Sequence, residues 1–204
     1  MDVSKGVEPM MIGVAGGSAG GKTTFAHALA EAAGKGTATI LELDRFYLPK
    51  AVSPRERVTN FDEPHAIDFE LLSSVIEELR RSGQAAVPVY DYASHDRVGQ
   101  ESLQSTRLIV VEGILALWHQ TIRSALHYRV YVEAPDDLRL QRRISRDVAQ
   151  RGRLEDEVRM QWSQTVLPMH RQYVEPTKTH ADHVVDGQSD LRQAARDLLE
   201  ILRV

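Results

Sequence analysis

Eight consecutive residues, Gly16-Gly17-Ser18-Ala19-Gly20-Gly21-Lys22-Thr23, have the composition and spacing to grip a chain of phosphates. The run reads G-x-x-x-x-G-K-T, entered from the apolar segment Met10–Ala15 and left into a helical pattern. Glycines let the backbone wrap closely around an anion. Consecutive N–H groups then point inward, and the helix N-terminus behind them adds partial positive charge. In that geometry Lys22 reaches the β- and γ-phosphates and Thr23 places its hydroxyl on Mg²⁺. Gly16, Gly17, Ser18, Ala19, Gly20, Gly21, Lys22, Thr23 and Thr24 are therefore expected to hold a nucleoside triphosphate. A glycine-rich turn that binds nothing is the bland alternative, and eight matched positions between strand and helix weigh against it.

Two acids stand where strands should end. Asp44 closes an apolar run in Leu43-Asp44-Arg45-Phe46-Tyr47, and open α/β sheets bind ligands outside the carboxyl ends of their strands. Asp44 can accept a proton from an attacking hydroxyl, help hold Mg²⁺ through water, or merely cap a turn. Val110-Val111-Glu112-Gly113 is an apolar strand ending in an acid, so Glu112 is expected to join Thr23 in the magnesium shell.

Positive charge gathers in residues 136–153, with Arg139, Arg142, Arg143, Arg146, Arg151 and Arg153. The first four fall at i, i+3, i+4 and i+7 and share one helix face. With few acids among them (Asp136, Asp137 and Asp147), the stripe calls for an anionic partner. Arginines on a mobile segment that closes over phosphates stabilise transition-state charge, so the segment reads as a lid. Tyr47, Phe61, Asp62, Tyr90, Tyr92 and His95 cluster in two insertions. Asp62 can accept hydrogen bonds from two adjacent ribose hydroxyls, and a ring such as Tyr90 can stack on a base. Each tyrosine alone is as well explained by loop packing. His180 and His183 lack an evident third metal ligand and read as surface histidines.

Short apolar runs alternating with helical patterns must position these groups, which argues for βαβ units and a parallel sheet. The expected strands are Met10–Ala15, Thr39–Leu43, Leu108–Glu112, Tyr128–Val132 and Asp182–Val185. The expected helices are Lys22–Ala33, Asp68–Arg81, Asp136–Gln150, Glu155–Tyr173 and Ser189–Arg203. Asp68 and Ser189 are candidate N-caps, and Ser82-Gly83 a stop. Pro168 should kink or divide the fourth helix. Residues 44–67, with Pro49, Pro54 and Pro64, are too long for a plain connection. Residues 86–107 read as a strand or hairpin beside the main sheet. The fold class is α/β: a phosphate-loop NTPase with a five-stranded parallel sheet flanked by helices, an arginine-rich helical lid (136–165) and a β-hairpin insertion. One domain of residues 1–204 accounts for the chain.

Composition narrows the class of function. A net charge of −4 does not suit a polyanionic partner such as nucleic acid, and the absence of cysteine excludes disulfides, zinc–thiolate sites and thiol nucleophiles. No apolar stretch reaches the roughly 18 residues of a membrane span. The polar start Met1-Asp2-Val3-Ser4-Lys5-Gly6 argues against a signal peptide, so a cytoplasmic enzyme is the expectation.

Together the motifs resemble the uridine kinase (uridine–cytidine kinase) family of phosphate-loop kinases over about Ile12 to Asp186. The carrying blocks are Gly16–Thr24, Asp44-Arg45-Phe46-Tyr47, Asn60-Phe61-Asp62-Glu63-Pro64, Tyr90-Asp91-Tyr92 with His95-Asp96-Arg97, and Glu112-Gly113-Ile114. Arg142-Arg143-Ile144-Ser145-Arg146-Asp147, Arg151-Gly152-Arg153 and Val174-Glu175-Pro176-Thr177-Lys178 continue the match. The resemblance implies ATP- or GTP-dependent phosphorylation, with Mg²⁺, of the 5′-hydroxyl of uridine and cytidine. It implies Asp44 as the base, with Asp62, Gln161 and Arg153 on the ribose. It further implies Tyr90, Phe61 and His95 on the base, Tyr47, Ile114 and Arg143 lining the pocket, and Arg146 and Arg151 clamping phosphates. A homotetramer joined through the hairpin is implied as well. Gly20 stands where the family often has serine, His183–Gly187 is more polar than usual, and Gly99–Arg107 lacks the common turn proline.

Two other readings stay open. A related kinase acting on a phosphorylated sugar or vitamin-like alcohol would need an anion-binding pocket where Tyr90 and His95 lie. A non-catalytic nucleotide switch would show slow hydrolysis independent of any alcohol.

Overall fold

The computed structural model describes residues 8–49 and 60–203. Pro54 and the segment Met1–Gly6 lie outside them. Among the described residues, five parallel strands form the central sheet in the order β2-β5-β1-β6-β7. They are β1 (Met10–Gly16), β2 (Ala38–Glu42), β5 (Leu108–Glu112), β6 (Tyr128–Glu133) and β7 (His183–Asp186). The antiparallel hairpin β3 (Gln84–Asp91) and β4 (Asp96–Gln104) stands apart as a second sheet.

Central strands covered on both faces need apolar residues at every position, and β1 and β5 supply them. Alternation then sorts the side chains between two cores. Met11, Ala15, Ile109 and Val111 face Leu72, Ile76 and Leu79 of α2 (Phe69–Ser82). Ile12, Val14, Leu108 and Val110 face Phe25 and Leu29 of α1 (Lys22–Ala32) and Leu198 and Leu199 of α7 (Leu191–Leu202). The register sets Glu42 beside Glu112 and Glu112 beside Val14, which brings two acidic strand ends next to the phosphate loop.

Asp68 caps α2 as expected, accepting from the Leu71 N–H at 3.0 Å, and Gly83 ends the helix at φ 77°. The C-terminal helix differs. Its cap is Asp190, whose carboxylate accepts from the N–H groups of Arg192 and Gln193 at 3.0 and 3.2 Å. The Ser189 hydroxyl instead donates to the Asp186 carbonyl at 2.6 Å. A further short helix, α3 (Gln120–Ala125), has no counterpart in the sequence pattern.

The lid is α4 (Asp136–Arg151) and α5 (Glu155–Gln161), with Gly152 between them in the left-handed region at φ 62°. Pro168 does not break the chain's helical course beyond α5. Wide π turns at Trp162–Val166 and His170–Val174 flank α6 (Leu167–Met169) and absorb the missing N–H. Among the described residues, no helix is long and apolar enough to cross a membrane.

Candidate active site

The phosphate loop is shaped from below as well as from within. Gly21 caps α1 at φ 106°, a conformation glycine takes without strain. Gly17 answers a different need: a Cβ there would lie 2.1 Å from Arg139 Nη1 and 3.0 Å from His170 Cε1. Arg139 is almost wholly buried beneath the loop, donating to Asp136 Oδ1 at 2.5 Å with its guanidinium 5.0 Å from the Trp162 ring centre. It therefore leaves the arginine stripe expected from spacing. Near the start of α4 that stripe passes under the loop, and only its later members reach the cleft. Burial, with Arg139 alongside, lowers the His170 pKa to about 4, so the imidazole is neutral.

At the strand ends, Thr23 Oγ1 donates to Glu112 Oε1 at 2.6 Å, and Lys22 Nζ lies 3.7 Å from the same oxygen. Asp44 is half-buried in the short 3₁₀ turn after β2. Burial raises its pKa to about 6, helped by the Glu112 charge and opposed by Lys22 and a hydrogen bond from Tyr47. Thr23, Glu112 and Asp44 are all hard-oxygen donors, a set that suits Mg²⁺. This ion commonly takes one or two carboxylates and completes its shell with water and substrate phosphates. Among the described residues, no three acids or histidines form a closed metal cage.

The second lobe is aromatic. Tyr47 and Phe61 meet edge-on at 5.0 Å, and Phe61 stacks on His95 at 5.0 Å. His95 holds φ 55° after a turn tied by Asp91, which accepts from the Ala93 and Ser94 N–H groups at 3.2 and 3.0 Å. Tyr90 does not line the cleft. It is buried near the end of β3, behind Tyr47 and Tyr92, whose rings lie 5.5 and 5.4 Å away. Tyr92 lines the cleft in its place. Burial raises the Asp62 pKa against the pull of Arg143 and Lys22.

Arg97 fixes this lobe to the body. It donates to the backbone carbonyls of Tyr47 and Phe46, each at 3.0 Å, and to the helix cap Asp68 at 3.1 Å. From the lid, Arg143 donates to Ser18 Oγ at 2.7 Å and to Gln161 Oε1 at 3.0 Å, and Arg153 reaches Gln161 Oε1 at 2.6 Å. Arg142 donates to the Gly187 carbonyl at 3.0 Å, joining the lid to the loop after β7.

All of this opens on one cleft of about 1560 Å³. Its walls bring together Ser18, Ala19, Gly21, Lys22, Thr23 and Thr24 with Asp44 and Glu112. They add Tyr47, Phe61, Asp62, His95 and Ile114, and the lid residues Arg143, Arg146, Arg151, Arg153 and Gln161. Arg142 of the arginine stripe and Tyr92 of the aromatic cluster also line it, as do Glu42 and the stretch Ser189–Arg192, to which sequence reasoning gave no role in a site. The rule that ligands sit beyond strand carboxyl ends could have flagged both Glu42 and the loop after β7.

A parallel sheet carrying a phosphate loop, acidic strand ends and an arginine lid defines a phosphate-loop kinase. The chain belongs to the phosphoribulokinase / uridine kinase family, matched over residues 11–192. Among its relatives, the uridine kinase of Brevibacillus brevis is 39% identical over 194 residues, covering 94% of this chain and 90% of its own. The uridine kinase of Geobacillus kaustophilus is 41% identical over 183 residues, 88% and 87% of the two chains. The fold also matches phosphoribulokinase from Rhodobacter spheroides, with a TM-score of 0.64 at 19% identity over 89% of this chain and 73% of that one.

Proposed function

We propose that this chain transfers the γ-phosphoryl group of ATP or GTP to the 5′-hydroxyl of uridine or cytidine, giving the monophosphate. The observation that carries the reading is the place of Asp44. It stands between the phosphate end of the cleft, marked by Lys22 and Glu112, and the aromatic end, marked by Tyr47 and Asp62. Asp62 accepts hydrogen bonds from the ribose hydroxyls, held in place by Arg143, Arg153 and Gln161. Phe61, His95 and Tyr92 enclose the base, with Tyr90 supporting them from behind.

Asp44 takes the proton of the 5′-hydroxyl as its oxygen bonds to the γ-phosphorus and the bond to the departing diphosphate breaks. Lys22, the loop amides, Arg146 and Arg151 neutralise charge on the transferred group, where most of the catalysis of such reactions lies. Bound Mg²⁺, held by Thr23 and Glu112 with Asp44 at hand, would supply further neutralisation at the phosphates. The aromatic walls Tyr47, Phe61 and Tyr92 offer flat apolar surface to a base, which favours a nucleoside over a phosphorylated sugar.

The test is incubation with Mg²⁺–ATP and a panel of nucleosides, sugars and pantothenate-like alcohols, with products identified by mass. UMP and CMP are the expected products. Hydrolysis at the same rate without any alcohol, or phosphorylation of a sugar alone, would refute the assignment.

A further inference from the structure

Asp147 is completely buried on α4, yet four guanidinium groups converge on its carboxylate. Oδ1 accepts from Arg146 Nε at 2.8 Å and lies 3.6 Å from Arg151 Nη1. Oδ2 lies 3.5 Å from Arg143 Nε and 3.7 Å from Arg153 Nη1, and has no hydrogen-bond partner among the described residues. The two oxygens thus divide the arginines by task. One faces the pair assigned above to the phosphates, the other the pair assigned to the nucleoside. The Asp147 backbone carbonyl also accepts from the N–H groups of Gly152 and Arg153, so the same residue ends α4 and starts the turn carrying Arg153.

Four like charges in a half-enclosed cleft repel one another. Asp147 is the carboxylate shared by all four, with Asp62 acting on Arg143 besides, and the two together still leave the cluster net cationic and attractive to a phosphate. An entering phosphate competes with Oδ1 for Arg146 and Arg151. Arg143 and Arg153 are bridged separately, both donating to Gln161 Oε1.

We propose that Asp147 is a positioning residue that fixes the phosphate-side arginines relative to the nucleoside-side arginines, and that it occupies the former until a phosphate displaces it. The proposal rests on the arginine roles given under the proposed function. Its consequence has two signs. Removing the carboxylate should leave ground-state binding of an anion unharmed or improved, while misplacing the groups that meet the transferring phosphoryl.

The experiment compares the unaltered chain with Asp147→Asn, which is neutral and nearly isosteric. Calorimetry with Mg²⁺–ATP should give equal or tighter binding with a steeper dependence on ionic strength, and uridine affinity within about threefold of native. The kcat should fall about a hundredfold, the scale of loss for reacting groups displaced by an ångström. A kcat within about threefold of native overturns the proposal, as does an equal fall in kcat and both affinities in a protein that still unfolds cooperatively.

Should the Asn variant not fold, Asp147→Glu decides. Keeping the charge one methylene out of place should preserve the native salt dependence of Mg²⁺–ATP binding and lower kcat about tenfold; native kcat, or an Asn-like steepened salt dependence, overturns the proposal. If the unaltered chain phosphorylates no nucleoside, the functional assignment fails. The Mg²⁺–ATP affinities and salt dependences still decide the role of Asp147.

Discussion

The Arg97 guanidinium holds the Tyr47 backbone carbonyl at 3.0 Å, tying the tip of the hairpin to the turn that presents Asp44 and Tyr47 to the cleft. The two residues are 50 positions apart, and the contact is reinforced by the Phe46 carbonyl and the Asp68 carboxylate. Arg97 touches the acceptor lobe only from outside; it is absent from the cleft wall. Arg97→Ala should therefore raise the nucleoside KM about tenfold or more while leaving the triphosphate KM within about twofold. Loss of three charge-assisted bonds should cost about 1–3 kcal/mol of stability, read as a lower denaturation midpoint. Steady-state kinetics with each substrate varied in turn checks the split.

Asp44 links activity and stability with opposite signs. As the base it must be ionised, so kcat/KM should decline as pH falls through about 6, its raised pKa in the folded chain. A carboxylate whose folded pKa lies above its unfolded value destabilises the fold when ionised. That cost is present above pH 6 and disappears as pH falls from about 6 towards 4. Asp44→Asn should accordingly abolish turnover, keep nucleoside affinity within a few-fold, and raise stability at pH 7.5 by about 1–3 kcal/mol. Loss of binding as large as the loss of rate would make Asp44 structural.

The parts of this arrangement that were legible in the chain are those whose cause is local. A phosphate loop is written in consecutive residues, Glu112 is marked by the apolar strand it ends, and Asp44 by the apolar run before it, although β2 itself stops at Glu42 and Asp44 sits in the 3₁₀ turn that follows. What could not be read depends on depth and on distant partners. Tyr90 lies within β3 and Tyr92 in the turn just beyond it, and the sequence pattern does not mark where the strand stops, so it could not tell that Tyr92 lines the cleft while Tyr90 is buried behind it. The four-arginine stripe is real as helical spacing, but its first member meets Trp162 and Asp136 beneath Gly17, contacts made by tertiary packing. Asp190 is the cap because it stands immediately before Leu191, where its carboxylate reaches the first-turn N–H groups, whereas Ser189 lies one residue earlier and turns its hydroxyl back to the Asp186 carbonyl. The hold of Arg97 on Tyr47 leaves no trace in spacing at all.

Asp62 should determine the choice of sugar. A half-buried carboxylate whose pKa is raised by desolvation gains from donors that satisfy it, and the vicinal hydroxyls of a ribose offer two. With a deoxyribose one of those partners is missing and part of the site stays unpaired, a defect that selects strongly against the analogue. The unaltered chain should therefore turn over uridine at least about a hundredfold more efficiently than 2′-deoxyuridine. Asp62→Ala should shrink that ratio mainly by damaging uridine. Competition assays with both nucleosides give the ratio directly, and equal use of the two by the native chain would remove Asp62 from the ribose.

Gly17 gives the sharpest steric test because what crowds it is not free to move. A methyl group at this position would meet Arg139 Nη1 at 2.1 Å and Cζ at 2.6 Å. That guanidinium is pinned by Asp136 and roofed by Trp162, so the loop backbone must yield rather than the side chain. Displaced amides lose their common focus on the phosphates, whereas the atoms nearest a Cβ on Gly17 belong to Arg139 and His170, neither of which lines the cleft. Gly17→Ala should thus weaken Mg²⁺–ATP binding more than about tenfold with nucleoside affinity near native. Gly99→Ala is the control: no described atom lies within 4 Å of the added carbon, and its backbone is not left-handed, so both affinities should stay native. Calorimetric titration of the two variants separates the outcomes. Native triphosphate binding by Gly17→Ala would mean that Arg139 gives way, and that the buried guanidinium does not set the shape of the loop above it.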